Sequence, residues 1–574
     1  MTARPPTSDT GPGACRVLAS PPTTGLTSGA GLWERMTESL VPPAVDAPSP
    51  TLTARRATLV LILLASAALM VNYVETMLVP ALPTLVVFFD GVPYTTIAWV
   101  VSAYLLVGVS TTPLFAKLGD IYGKKRMLGV VLSIYAVAVA LTGFTPQLAS
   151  AFGLSRFDAV YLLISVRGVQ GVGLAMFPLA FAMVGEELPP ARVAQAQGLI
   201  AAMFAIGAAL GLFGGAWVIQ TYGWQDAYHL VIPFAAAIVA MTVLALPESP
   251  HRLRVRLDVP GAAFLGAALA TLLLGLSQGP AWGWGSLATV HAGFVPFGVP
   301  ELFGLSALFA ALFYLRERSA ADPMIHLERF RERNLAISYF AALLVGTSIF
   351  LGFVGLTILV ETPIVGLGRT VFEFGILSLP TTMSMLVAAP FVGRGVARFG
   401  PKPVMLFGSG LATAGFLLVL GFGHSYAELL VTPIPVFVGL VAMIIATTNM
   451  VVLSSRRGET GIQTGMQEMF QDLGASIGPV LVAAILASFT GAFATGVVGP
   501  SGPETVVLPT LTAFHWIFAA GAILALVGGV LAAFLRNYTF TATGERSDSA
   551  AGSGAVPTPS LAVAEVALAP GGRN

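Results

Sequence analysis

Apolar runs of about 20 residues, the length a helix needs to cross the hydrocarbon of a bilayer, recur along almost the whole chain and restrict its fold more than any other feature. They are read near 58–82, 96–116, 127–146, 159–183, 197–220 and 228–247, then near 260–279 and 300–315, then near 335–360, 372–393, 403–421, 428–454, 463–488 and 512–535. The charged segments HRLRVRLD and RERSAADPMIHLERFRER separate these groups as six, two and six. Of the 574 residues, 56% are hydrophobic and 10% charged, and a water-soluble fold could not hide so much apolar surface. The expectation is an all-α polytopic membrane protein with 14 transmembrane helices.

Charge tests that count, because Lys and Arg gather in cytoplasmic loops. Loops that follow odd-numbered spans carry only Arg156 and Arg369. The opposite set carries Arg55 and Arg56, then Lys117, Lys124, Lys125 and Arg126, then Arg394, Arg398 and Lys402, with further arginines after spans four, six, eight, twelve and fourteen. A missed or invented span would invert every later loop, so the alternation predicts both termini in the cytoplasm and residence in the plasma membrane. Residues 1–56 and 537–574 read as a disordered cytoplasmic leader and tail, and the leader does not have the pattern of a cleaved signal peptide.

The net charge of +1, with no basic stretch interleaved with aromatics, argues against a nucleic-acid partner. The single cysteine, Cys15, supports no disulfide framework. The six histidines lack ligand spacing, so no metal is expected. Neither a nucleophile–base set nor a phosphate-binding loop can be found, and an enzyme is not expected.

The two six-span groups resemble each other at three places. VETMLVPALP in the first span and VETPIVGLG in the ninth put Glu75 and Glu361 in corresponding positions. AKLGDIYGKKRML after span two and GRGVARFGPKPVML after span ten align Gly123 with Gly400. Gly198, Gly207 and Gly211 in span five precede Gly465, Gly474 and Gly478 in span thirteen by the same 267 residues. Apolar composition alone hardly produces a constant offset across three glycines, and two similar halves with a site between them is a recurrent transporter plan. The fold is therefore expected to comprise two pseudo-symmetric six-helix halves, 57–250 and 334–536, plus two inserted helices within 251–333, a stretch that includes flanking cytoplasmic segments.

The loop after span two carries Leu118, Asp120, Gly123, Lys124 and Lys125 in the pattern Gly-x-Leu-x-Asp-x-x-Gly-Arg-Lys/Arg, with Ala116 for the first glycine and Lys124 for the arginine. Span four carries Arg167, Gln170, Gly171 and Gly173 as Arg-x-x-Gln-Gly-x-Gly. In these motifs the chain resembles the major facilitator superfamily over roughly residues 57–536. Asp258-x-Pro260-Gly261, the GWGS around Trp284, and Asp322-Pro323 followed by Leu327 and Phe330-Arg331 are similar to its fourteen-span drug:proton antiporter branch. The resemblance implies a role in proton coupling for Arg167. The family's antiporter motif in span five, Gly-x-x-x-Gly-Pro and paired glycines, has Leu212 for the proline here, although Gly207, Gly211, Gly214 and Gly215 remain. The intact form stands in span thirteen as Gly474, Gly478 and Pro479.

An ionisable side chain in hydrocarbon costs about 2.5–3.5 kcal/mol on insertion scales, so each needs a polar cavity or a partner. Arg167 is the strong cation deep in a span, and Glu75, with Asn72 nearby, lies in the outer half of span one, where a desolvated carboxylate suits a proton carrier. A hydrated place at the outer interface is the alternative for Glu75 and for Glu361. In span thirteen Gln463, Gln467 and Gln471 recur every four residues, as do Glu468 and Asp472, so each set forms a stripe. Two acids one turn apart repel, and one should hold its proton at neutral pH. The proton-coupling candidates are thus Glu75, Arg167, Glu361, Glu468 and Asp472, and the substrate-cavity candidates are Asn72, Gln170, Gln467 and Gln471. Asp120, Gly123, Lys124, Lys125 and Arg126 read as a conformational latch whose ion pairs join the halves in one access state. Gly207, Gly211, Gly474 and Gly478, with Pro479, read as close helix packing.

These candidates point to a monomeric, proton-coupled exporter of amphipathic or hydrophobic small molecules, working among membrane lipids with a proton gradient in place of any cofactor. Leu212 favours a second reading, uptake by proton symport on the same fold. A third, a non-transporting receptor or scaffold, conflicts with the presence of both charged motifs.

Overall fold

The computed structural model describes residues 54–548 other than 189, 247, 249–256, 286–297, 321–322, 324, 326, 424, 456–459, 500–501 and 541–545. Residues 1–53 of the expected leader, 549–574 of the expected tail, and Arg252, Arg254, Arg256, Arg456 and Arg457 lie outside the described residues. Among those described, 13 helices are long and apolar enough to cross a membrane. They are α1 (Arg56–Phe88), α2 (Tyr94–Tyr122), α3 (Lys124–Gly143), α4 (Arg156–Glu186), α6 (Trp224–Ala245), α7 (Val259–Trp282), α8 (Val299–Ser319), α9 (Arg333–Glu361), α10 (Val371–Phe399), α11 (Pro401–Phe422), α12 (Tyr426–Ser454), α13 (Gln463–Ser488) and α14 (Leu511–Ala533). Between α4 and α6, α5 (Pro190–Leu210) passes through a π turn at Gly211–Gly215 into Ala216–Tyr222. Its apolar part, Ile206–Tyr222, is shorter than the rest. Every expected span thus meets a helix, thirteen of them long enough to cross and the fifth shorter, a count compatible with the fourteen that loop charge predicted.

Local signals end and restart these helices. Gly123 and Gly400 carry φ of +104° and +83°, a region that favours glycine, so α2 turns directly into α3 and α10 into α11. The two glycines aligned by sequence therefore make the same kind of turn in each half. Thr370 and Glu373 form a capping box at the start of α10, and the Asp258 side chain accepts a hydrogen bond from Gly261 N at the start of α7.

The glycine repeat is a packing repeat. A Cβ at Gly207 would collide with the Leu69 carbonyl of α1, and one at Gly211 with Thr76 and the Tyr73 carbonyl. In the other half, a Cβ at Gly474 would collide with the Leu343 carbonyl of α9, and one at Gly478 would meet the Thr347 carbonyl at 2.9 Å. Helices α5 and α13 therefore lie backbone-close on α1 and α9 respectively, as small residues permit where no hydrophobic drive brings helices together. The inserted helix α7 packs between α2 and α13: Leu106 and Val109 of α2, Leu269 and Leu273 of α7 and Val480 of α13 share one apolar cluster. The halves also meet where α5 touches α10, with a Cβ at Gly375 reaching Ala216 at 2.8 Å and the Phe213 and Phe372 rings 5.9 Å apart.

Two elements lie beyond the helical expectation, and one of them, strand Tyr538–Phe540 paired antiparallel with Arg546–Asp548, falls within the stretch expected to be a disordered tail. Between α13 and α14, strands β1 (Thr490–Gly499) and β2 (Gly502–Pro509) form an antiparallel hairpin. Its run of β-branched residues is too short and too interrupted by glycine to have read as a span.

Candidate functional site

Arg167 stands in the middle of α4 with none of its side chain exposed. Its Nε donates to the Val100 carbonyl of α2 at 3.1 Å, and Nη1 donates to Gln170 Oε1, one turn further along α4, at 3.0 Å. Its guanidinium carbon lies 4.6 Å from the centre of the Tyr104 ring, a cation–π contact. Nη2 has no hydrogen-bond partner among the described residues. The charge is thus held by a carbonyl, an amide and a π face, with the buried Tyr228 hydroxyl nearby and Nη2 as the donor to spare.

That donor has an acid in its field. Glu75 on α1 is 5% exposed, one carboxylate oxygen makes no hydrogen bond among the described residues, and Arg167 acts on it electrostatically. Asn72, one turn earlier on α1, is buried beside it. From the other half, Asp472 of α13 lies within electrostatic range of both Glu75 and Glu468. Asp472 is half-buried and Glu468 exposed. The structure therefore brings Arg167, Gln170, Asn72 and Glu75 together in the N-terminal half, with Asp472 of α13 in electrostatic range of Glu75.

The other polar stripe of α13 faces elsewhere. Gln463 is hydrogen-bonded to the Tyr339 hydroxyl of α9, and Gln467 Nε2 donates to Thr448 Oγ1 of α12 at 3.0 Å. Both glutamines are buried in the C-terminal half, so Gln467 serves helix packing in this conformation, while Gln471 is half-buried. Tyr104 was invisible to sequence reading, because one tyrosine in an apolar span carries no periodicity that would mark it as the cradle of an arginine in another span.

Glu361 stands apart from this cluster. The matched VET segments predict equivalent places, yet α1 continues past Glu75 through a 3-10 turn at Val79–Ala81 to Phe88, whereas α9 ends at Glu361 and Pro363 follows. Glu361 consequently sits at a helix terminus, 9% exposed, lining a cavity of about 790 Å³ among the ends of α1, α9, α10 and α13.

The residues of the loop after α2 pair within their own half. Lys124 is buried and bonds both Asp120, at 3.1 Å, and Glu186 at the end of α4, while Arg126 meets Glu248 beyond α6 at 3.2 Å. In this conformation the pairs tie α2, α3, α4 and α6 together rather than joining the halves; Lys117 alone of these loop cations is seen to reach out, to the Pro323 carbonyl of the segment before α9 at 3.2 Å. In the equivalent turn of the C-terminal half, Asn537 accepts from Lys402 N at 3.3 Å and donates to the Phe399 carbonyl at 3.1 Å, while Lys402 Nζ donates to the Ala533 carbonyl at 2.8 Å. A Cβ at Gly123 would collide with the Glu248 carboxylate on top of the strained φ. Gly123→Ala should therefore cost about 1–3 kcal/mol and lower the thermal unfolding midpoint. Gly185→Ala, where a Cβ meets nothing within 4 Å, should not; equal midpoints for both variants would refute the strain.

Leu212, which stands where the antiporter pattern has proline, is buried within the π turn Gly211–Gly215. A π turn widens the helix and loosens its hydrogen-bond ladder at that point. In α13, Pro479 interrupts the ladder by lacking an N–H. Each half thus has a distorted helix beside its first span, reached by different chemistry.

The chain matches the family model of the Major Facilitator Superfamily over residues 64–479, with a second match over 343–568. It is 28% identical over 400 residues to the tetracenomycin C resistance and export protein of Streptomyces glaucescens, covering 69% of this chain and 70% of that one. To the multidrug transporter protein MdtP of Bacillus subtilis it is 23% identical over 416 residues, 72% of each chain. Among solved structures, the crystal structure of the human organic anion transporter MFSD10 superposes with a TM-score of 0.53 at 17% identity, covering 83% of this chain and 99% of that one, a likeness of fold.

Proposed function

The chain belongs to the major facilitator superfamily, and from that premise we propose that it is a proton-coupled exporter of amphipathic or hydrophobic small molecules in the fourteen-span drug:proton antiporter branch. The observation that carries this reading is the buried, unsaturated pair Glu75 and Arg167, with Asp472 of α13 in electrostatic range of Glu75. When Glu75 is ionised, Arg167 attracts it, and Asp472 repels it only when it too has lost its proton. When Glu75 takes a proton, both forces vanish and the guanidinium rests on Tyr104 and Gln170. A proton thereby changes the energy of the two access states by different amounts, which is what shifts a two-state population. The rigid units are the glycine-packed pairs α1–α5 and α9–α13, which rock about the contacts of α5 with α10 and of α2 with α13.

In this proposal the basic loops and both termini are cytoplasmic, the membrane is the plasma membrane, the working unit is a monomer among lipids, and the proton gradient is the energy source. Export is preferred over symport because the π turn of α5 already distorts the helix where Leu212 replaces proline, and because the relatives cited above are named for resistance, export and multidrug transport. The test uses everted membrane vesicles and the fluorescent dye Hoechst 33342. Vesicles whose lumen is acidified should accumulate dye, and collapsing the pH gradient with nigericin should release it. Accumulation only in right-side-out vesicles with an acidic exterior would establish uptake instead.

A further inference from the structure

We propose that the cavity at the ends of α9 and α13 is an equilibrium binding site for a lipophilic organic cation, with Glu361 as its counter-charge. The site lies apart from the Arg167–Glu75 cluster and does not depend on which way the protein transports. Its volume of about 790 Å³ suits a drug-sized molecule. Both halves and the hairpin build it: Tyr94 and Gln220 from one half, Glu361 and Leu486 from the other, and Val507 and Leu508 from β2.

The charge inventory of the walls selects the ligand. Arg369 also lines the cavity, but it is paired with Glu373 at 3.2 Å and stacks on Tyr426 at 5.4 Å. Glu361, nine-tenths buried, has a carboxylate oxygen with no hydrogen-bond partner among the described residues. A carboxylate in a mostly apolar cavity is costly until a counter-ion answers it. A small hydrated cation would have to shed its shell to enter. A delocalised organic cation sheds little, gains apolar contact with the valine and leucine walls, and can use the face of the Tyr94 ring. An anion meets the ionised Glu361 as a like charge, and a neutral molecule cannot answer that charge.

The probe is tetraphenylphosphonium and the reporter is a cysteine at the exposed wall position Val507. Cys15 is the chain's single cysteine, so Cys15→Ser with Val507→Cys leaves one thiol to follow in the purified full-length protein. At ten times its dissociation constant, tetraphenylphosphonium should slow maleimide alkylation of that thiol about tenfold. Adding Glu361→Gln should abolish the protection, and Asp226→Asn, an acid in the first turn of α6 and outside the cavity lining, should leave it intact. Triphenylphosphine oxide, similar in shape but neutral, should not protect. Protection unchanged by Glu361→Gln, equal protection by the neutral compound, or no protection at all would each overturn the proposal. Should Glu361→Gln fail to fold, Thr84→Trp, which fills the cavity from an exposed wall residue, must remove protection in its place. Because no gradient is imposed, failure of the dye-export test leaves this result standing, and the reverse holds too.

Discussion

Arg167→Ala should lose transport driven by a pH gradient at least about 100-fold, since removing one member of a buried charged network costs about 3–5 kcal/mol and each 1.4 kcal/mol is a factor of ten. The alanine would leave the Val100 carbonyl and Gln170 Oε1 without the donors they now have, and Glu75 without an attracting charge. The thermal midpoint should fall as well, because those groups stay buried. Arg167→Lys separates charge from shape. It keeps a cation near Glu75 but loses the guanidinium fork and with it the second hydrogen bond, so it should fold like the native protein and transport about tenfold more slowly. Dye accumulation in energised everted vesicles, normalised to protein and read alongside the midpoint, distinguishes the two. Native transport by Arg167→Ala would remove the guanidinium from the mechanism.

What the sequence revealed and what it hid follow from the physics of each signal. Spans and loop charges are local: a run of apolar residues or a cluster of lysines declares itself without reference to any other part of the chain. The 267-residue glycine offset was legible for the same reason, since Gly207 and Gly474 are each forced by a neighbouring carbonyl on one other helix, and the same contact was kept twice. The VET match misled about environment, because three identical residues say nothing of whether the helix continues; a proline two residues past Glu361 ended it there. The stripes of α13 were correctly periodic, but periodicity names a face and not the neighbour, so Gln463 and Gln467 turned to α9 and α12 while Asp472 turned to the other half. Partners distant in sequence were unreadable: Glu186 lies 62 residues from Lys124, and only the folded packing of α3 against α4 brings them together.

Glu75→Gln tests coupling itself, since glutamine keeps the size of a protonated carboxylate and cannot release the proton. For one-for-one exchange, a gradient of one pH unit supplies about 1.4 kcal/mol, enough for about a tenfold accumulation of a neutral substrate. In proteoliposomes with the membrane potential clamped, the native protein should approach that ratio and Glu75→Gln should remain near one. Exchange of internal for external substrate without a gradient should persist within about twofold, because alternating access needs only equal charge states on both sides. Asp472→Asn should weaken accumulation by removing the acid that faces Glu75 across the halves. If both acids act on one proton-linked step, the double variant should be no worse than Glu75→Gln alone, the non-additivity expected of coupled groups. Additive losses would mean that the two carboxylates carry separate protons, and an accumulating Glu75→Gln protein would place the coupling site elsewhere.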